Sequence, residues 1–280
     1  MTKNQFPGSL PRPAGLRVLT LNLWGQHGAW TERREALIAG LQALQPDLLA
    51  FQESIKSDAY DQMRDLLGPD WNISHQQGRD PEGMGISIAS RWPLDNVQEV
   101  DLHVTPRTED FPCATLIAEV QAPAPVGPLL FANHFPNWQL NFAYERELQT
   151  VVAARVLEER VSRKSQHVVL VGDLDADPQA SSIRFWTGRQ SLGEMSVCYR
   201  DAWESRHPDE AGHTFTAANP LMVDWDWPFG RIDYIFVRCG EHGGPTLQIA
   251  SCQRIFAEPL HGVWASDHFG LVADLVLPHA

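Results

Sequence analysis

The sequence has little with which to cross-link itself. Four cysteines, Cys113, Cys198, Cys239 and Cys252, are spread over 280 residues. None forms a CxxC pair, and no spacing fits a zinc site. They read as free thiols, small apolar residues of an interior, in a reducing, cytoplasmic compartment. Basic residues are also scarce. The 22 Lys and Arg face 35 Asp and Glu, a formal net charge of −13. That balance argues against broad electrostatic binding to nucleic acid or to an anionic membrane, which needs a dense basic face. A local basic patch stays open. No apolar stretch reaches membrane-spanning length. The first residues, MTKNQFPGSLPRPAG, hold no apolar signal-peptide core and read as a Pro/Gly-rich arm over 1–15. No internal repeat, low-complexity tract, domain linker or sign of oligomeric state is visible.

What is present is a globular composition, 43% hydrophobic and 20% charged. The length approaches the limit for a single core, so 16–280 is expected to be one domain. Strands are expected over 16–22, 47–53, 84–91, 113–122, 127–135, 167–174, 231–238, 247–256 and 270–277. Helices are expected over 31–45, with Thr31 as N-cap, over 58–68, closed by Gly68, over 140–164 and over 178–189. Hairpins mixed with crossovers give an α/β layered architecture with at least one mixed sheet.

The strand ends are unusual. Strand 16–22 ends in Asn22, strand 47–53 in Glu53, and strand 127–135 carries Asn133 and His134. Strand 167–174 supplies Asp173, followed by Asp175 and Asp177, and strand 231–238 begins with Arg231 and carries Asp233. The loop before the last strand holds Ser266, Asp267 and His268. Carboxylates and an amide oxygen suit a hard cation such as Mg²⁺. A His beside an acid suits proton transfer or charge stabilisation. Close carboxylates repel and persist together when a cation, a proton or a helix terminus offsets the repulsion.

The segments LTLNLWG, PDLLAFQES, ANHF, GDLDADP, RIDYIFV and SDHFGLVADL resemble, in order, the motifs of the endonuclease/exonuclease/phosphatase superfamily. Deoxyribonuclease-like nucleases, abasic-site endonucleases, inositol-polyphosphate 5-phosphatases and neutral sphingomyelinases belong to it. The resemblance runs from Leu16 to Leu277. It implies a four-layer sandwich of two packed mixed β-sheets flanked by helices, with the site at one end. It implies Glu53 as principal metal ligand with Asn22 and Asp267, and Mg²⁺ as the ion, Mn²⁺ or Ca²⁺ being alternatives. Asp173 would orient or deprotonate the attacking water. His268 would contact the scissile phosphate, held in its tautomer by Asp233, with His134 as a further phosphate contact.

Asp175 departs from the superfamily, which usually has Asn there. An ionised Asp would repel phosphate where an amide would donate to it, so Asp175 is expected to be protonated, bound to a metal or turned away from the substrate, with metal binding on the Asp173 side the preferred reading. Asp177, followed by Pro178, reads as a helix N-cap. Arg231 reads as a structural pairing with a nearby acid, or else as a phosphate contact, Arg91 as structural, and the remaining His as surface or loop residues. Ten Trp are present, two of them in HTFTAANPLMVDWDWPFGRID. Here His213, Trp225 and Trp227, with Asn133 from the strand, are candidate substrate contacts, although packing under a loop explains the aromatics equally well. The expected activity is Mg²⁺-dependent phosphodiester hydrolysis of a small or lipid-headgroup phosphoester. A DNA or RNA nuclease, and a weakly active or non-catalytic binding protein, are the alternatives.

Overall fold

The computed structural model describes residues 15–164, 166–222, 227–228 and 230–278. Apart from Gly15 the expected N-terminal arm lies outside these residues, as do Trp225 and Phe229. Among the described residues, twelve strands form two six-stranded sheets.

The first sheet has the order β11-β12-β1-β2-β4-β3. These are β1 (Leu16–Asn22), β2 (Leu48–Ile55), β3 (Asn72–His75), β4 (Met84–Ser90), β11 (Gln248–Ile255) and β12 (Gly270–Val276). The second has the order β5-β6-β7-β8-β10-β9. It comprises β5 (Leu94–Asp101), β6 (Ala114–Val120), β7 (Leu129–Phe135), β8 (His167–Asp173), β9 (Tyr199–Asp201) and β10 (Asp233–Arg238). One parallel pair in each sheet, β1 with β2 and β7 with β8, makes both sheets mixed.

Alternation sorts the side chains. Leu16 and Val18 of β1, Leu129 and Phe131 of β7, and Val169 and Val171 of β8 meet in one apolar core between the sheets. The opposite parity, Leu19 and Leu21 of β1, packs under α1 (Trp30–Leu44) and α2 (Gln62–Leu67). Leu130 and Ala132 of β7 and Val168 and Leu170 of β8 pack under α3 (Ala143–Lys164) and α4 (Ser181–Trp186). A fifth helix, α5 (Ala202–Arg206), follows β9. The layers are therefore helix, sheet, sheet, helix.

Two helix starts differ from expectation. Gly28, at φ 63°, turns the chain so that α1 begins at Trp30, leaving Thr31 inside the helix rather than capping it. Asp61 accepts from the Arg64 N–H at 3.0 Å and starts α2 later than expected, while Gly68 closes it as foreseen.

Candidate active site

The inner face that carries apolar residues through the sandwich ends in polar ones. Continuing the parity of Leu16 and Val18 along β1 leads to Asn22. Val169 and Val171 of β8 lead to Asp173, and Val237 and Ile235 of β10 lead back to Asp233. Asn22, Asp173 and Asp233 are at most 2% exposed. The antiparallel register sets Asp233 directly opposite Asp173. On the other side of β8, Gly172 lets β7 approach closely: a Cβ there would stand 2.0 Å from the His134 carbonyl oxygen.

His268 completes the group from the loop before β12. Its Nδ1 lies 3.1 Å from Asp233 Oδ2, and its Nε2 lies 3.9 Å from Asp173 Oδ2. The first distance is a hydrogen bond and the second is too long for one. The Asp233 N–H donates to Thr214 Oγ1 at 3.2 Å, which fixes the strand entrance. Burial disfavours the imidazolium, but Asp233 and Asp173 outweigh it and hold the His268 pKa well above the usual value. Asp173, Asp233 and His268 each offer a ligand atom within 4.8 Å of the others. With the ring committed to Asp233, this arrangement is an imidazolium between two carboxyls, suited to acid–base work and to contacting an anion.

Asn22 joins that group to a second one. Its Nδ2 donates to Glu53 Oε1 at 2.9 Å and to Asp173 Oδ2 at 3.0 Å. Its side-chain Oδ1 accepts from the Trp24 N–H at 2.9 Å. The nitrogen, not the oxygen, thus faces the site. Glu53 sits at a register irregularity between Phe51 and Ser54, with φ 51°. Such a bulge re-aims a side chain at a strand end. Burial and the nearby Asp267 raise the Glu53 pKa. Burial likewise raises that of Asp267, against the influence of His268.

Behind these two acids lies a cation that no motif signals. Arg33 of α1 is 1% exposed. It donates to the carbonyls of Ala265 at 2.9 Å, His27 at 2.5 Å and Leu23. Burial lowers its pKa to about 10, while Asp267 and Glu53 oppose that shift. In TERREAL it reads as one more solvated helix charge; only the fold shows it inside.

Asp175 is half-buried at φ 49°. Burial raises its pKa to about 7, although Arg146 of α3 draws it down. Burial and Asp175 also push Asp173 well up. Four carboxyls, Glu53, Asp173, Asp175 and Asp267, are therefore held above their ordinary range. In addition, Asp175 Oδ2 and Asp233 Oδ1 are buried with no hydrogen-bond partner among the described residues. Unsatisfied acceptors and undercompensated carboxyls are what a hard divalent cation relieves, so the donor set fits one.

Other expected residues fall outside the cluster. Asn133 faces the inter-sheet core, fully buried. Its Oδ1 accepts from Gln52 Nε2 at 2.7 Å, and its Nδ2 donates to the Phe51 and Ser87 carbonyls at 3.0 and 3.1 Å. His134, its neighbour, necessarily points to the other face. There it is fully buried, 2.6 Å from Thr115 Oγ1, with its ring edge-on to Trp186. The structure does not bring either residue to His268. Asp177 does not cap α4, whose N-cap is Ala180. It accepts from the Gln179 N–H at 2.7 Å and shapes the turn before that helix. Arg231 pairs with Asp201 at 2.5 Å, and Arg91 lies over Trp71 at 4.0 Å. Cys198 is exposed, unlike the other three cysteines.

One rim of the site is aromatic. Phe215 packs on His268, with ring centroids 4.7 Å apart, and Trp227 follows at 6.4 Å from Phe215. Trp138, in the loop after β7, lies 5.8 Å from Trp227. Arg146 pins that loop by donating to the Asn137 and Gln139 carbonyls at 2.9 and 2.7 Å. Trp138, Leu140 and Tyr144, in the loop after β7 and at the start of α3, are 42%, 54% and 62% exposed. Trp138, Leu140 and Tyr144 escaped sequence reasoning because single apolar residues near a helix start carry no signal. His213 is exposed and contributes its carbonyl to Arg254.

A family model described as Endonuclease/Exonuclease/phosphatase family matches residues 19–268. No curated protein matches the chain. Among solved structures, D. rerio TDP2 complexed with single strand DNA product is similar at TM-score 0.71 and 22% identity, covering 94% of this chain and 99% of that one. Truncated Caenorhabditis elegans TDP2 gives 0.73 and 15% identity over 95% and 99%. The endonuclease/exonuclease/phosphatase from Bacteroides vulgatus gives 0.72 and 16% over 95% and 100%. At these identities the structural likeness establishes the fold alone. The family match spans most of the chain and ends on His268 itself, so the protein belongs to the Endonuclease/Exonuclease/phosphatase family.

Proposed function

We propose that this protein hydrolyses a phosphodiester by direct water attack at phosphorus, on a substrate with a planar or apolar group beside the phosphate. The observation that supports this most is the buried Asp233–His268–Asp173 arrangement, with its 3.1 and 3.9 Å separations. Asp233 holds the Nδ1 proton, so the Nε2 proton of His268 is directed to a phosphoryl oxygen. Asp173 accepts the proton of the attacking water as the phosphorus–oxygen ester bond breaks. Asn22 fixes Glu53 and Asp173 relative to one another. Glu53 and Asp267 would hold a divalent cation, with Asp175 as a further acid ligand beside Asp173. Such a cation, when bound, offsets the carboxylate charge and polarises a phosphoryl oxygen.

The ridge of Phe215, Trp227 and Trp138 favours a ring or an apolar chain on the substrate. A nuclease reading has one specific support, the similar fold of a TDP2 complexed with single strand DNA product. The net charge of −13 weighs against long nucleic acids. The test is a panel of aryl phosphodiesters, monoesters, headgroup diesters and nicked or supercoiled plasmid, each with Mg²⁺, Mn²⁺ or Ca²⁺. The expected result is turnover of small diesters above monoesters and plasmid, with Trp138→Ala raising KM for aryl substrates more than for headgroup diesters. Efficient plasmid nicking would favour the nuclease reading, and metal binding without turnover of any substrate would sink the hydrolytic one.

A further inference from the structure

Far from this site, two thiols face each other. The β9–β10 ladder pairs Phe236 with Asp201, Val237 with Arg200 and Arg238 with Tyr199. One step further in the same register stand Cys239 and Cys198, and the Cys239 N–H donates to the Cys198 carbonyl at 2.8 Å. Opposed residues of an antiparallel pair stand about 4.5–5.5 Å apart at Cα. That lies within the range of about 4.4–6.8 Å that a disulfide spans. The sulfurs are already 3.4 Å apart. Side-chain rotation can therefore close the bond without moving the strands.

Access is one-sided. Cys198 is exposed and Cys239 is 7% exposed. Both line a cavity of about 840 Å³ that Glu158, His167, Arg238 and Glu241 also border. A soft-metal site is not built here. Among the described residues, the group with three ligand atoms within 4.8 Å is Asp173, Asp233 and His268, which includes neither thiol.

We propose that Cys198 and Cys239 form an oxidation site, where a peroxide closes an intramolecular disulfide between β9 and β10. The Cys198 thiolate attacks a peroxide oxygen, the O–O bond breaks, and a sulfenic acid and one water form. The Cys239 sulfur then attacks the Cys198 sulfur, the S–OH bond breaks, and the thiol proton leaves with hydroxide as the second water. Two thiols lose two electrons and the peroxide is reduced to two waters. Burial, and then the neighbouring Cys198, push the Cys239 thiol up to about 12, so the exposed sulfur is the one to attack first.

The bond closes the loop from 198 to 239, which contains Thr214, Phe215 and Asp233. That segment is tied at the site end by Arg231 to Asp201, at 2.5 Å. Its other end is where the cysteines stand, about 20 Å along β10 from Asp233 at the rise of a strand. Oxidation there constrains the unfolded chain and leaves the chemistry unchanged.

The reduced protein is titrated with hydrogen peroxide. Intact mass should fall by two hydrogens, and a non-reducing peptide map should join the Cys198 and Cys239 peptides. The melting midpoint should rise by about 7 °C and return on dithiothreitol treatment, the scale for a loop of this length in a chain of this size. Cys198→Ser and Cys239→Ser should each abolish the link and the shift. Sulfinic acid at Cys198 without a link, a link to Cys113 or Cys252, or a link with no thermal shift would each overturn the proposal. None of these readouts depends on which phosphoester, if any, is turned over.

Discussion

At the scale of single residues, His268 does what Asp233 lets it do. A ring with Nδ1 bonded at 3.1 Å to a fully buried carboxyl has one orientation. Its Nε2 is then available to an anion. His268→Ala should lower kcat at least about a hundredfold, the scale of a positioned acid–base group. Asp233→Asn should lose less, because an amide still contacts the ring while the charge that favours imidazolium is gone. Circular dichroism should show both variants folded, and near-parent kcat in both would move the chemistry to other residues. These residues were legible because acids and a His at the ends of apolar strands stand out against their surroundings. Arg33 and Thr214 were not legible: an Arg in a charged helix start and a Thr in a loop look solvated until the fold encloses them. Asp177 is structural but caps no helix, since the chain makes one more turn before α4.

At the scale of elements, strand parity decides more than motif membership. Strands rich in branched apolar residues, such as β1, β7, β8, β10 and β12, announce themselves. The short β3 and β9 and the mostly polar β5 did not, because half-exposed edge strands carry little hydrophobic pattern. Within β7, adjacency sends Asn133 and His134 to opposite faces, and His134 ends under α4, where burial holds its pKa at about 3. The unfolded imidazole titrates near 6.5, so the unfolded state binds more protons between about 3 and 6.5. Stability from this residue is thus complete above about pH 6.5 and drains away as pH falls, by up to about 1.4 kcal/mol per pH unit. Urea unfolding of the parent between pH 6.5 and 4 should show that loss. His134→Gln, which can still bond Thr115 but cannot titrate, should show a flatter slope by a measurable part of it. Identical slopes would mean that the imidazole is protonated in place and that burial is not the controlling term.

At the scale of the whole molecule, the sandwich collects polar strand ends into one corner and concentrates there a share of a net charge of −13. Packing of the two inner faces buries Glu53, Asp173, Asp175 and Asp267, which raises all four, and neighbouring acids add to the shift at Glu53, Asp173 and Asp175. The fold therefore stores repulsion that a bound cation would release, and stability should report it directly. Asp175 is the residue with which to separate the terms. At φ 49° it occupies a left-handed conformation that Asn adopts as readily as Asp, so Asp175→Asn changes charge with little backbone cost. In the presence of EDTA at pH 8, above its raised pKa of about 7, the substitution removes a buried negative charge. The metal-free variant should melt higher than the parent, by about 2 °C for each kcal/mol relieved in a chain of 280 residues. Saturating Mg²⁺ or Mn²⁺ should raise the parent's midpoint more than the variant's, and calorimetry should show weaker metal binding in the variant. If instead the two proteins gain equally from the ion, Asp175 is not a ligand, and its raised pKa is the cost of burial alone. If the metal-free variant melts lower, the carboxyl is already compensated, by Arg146 before His268.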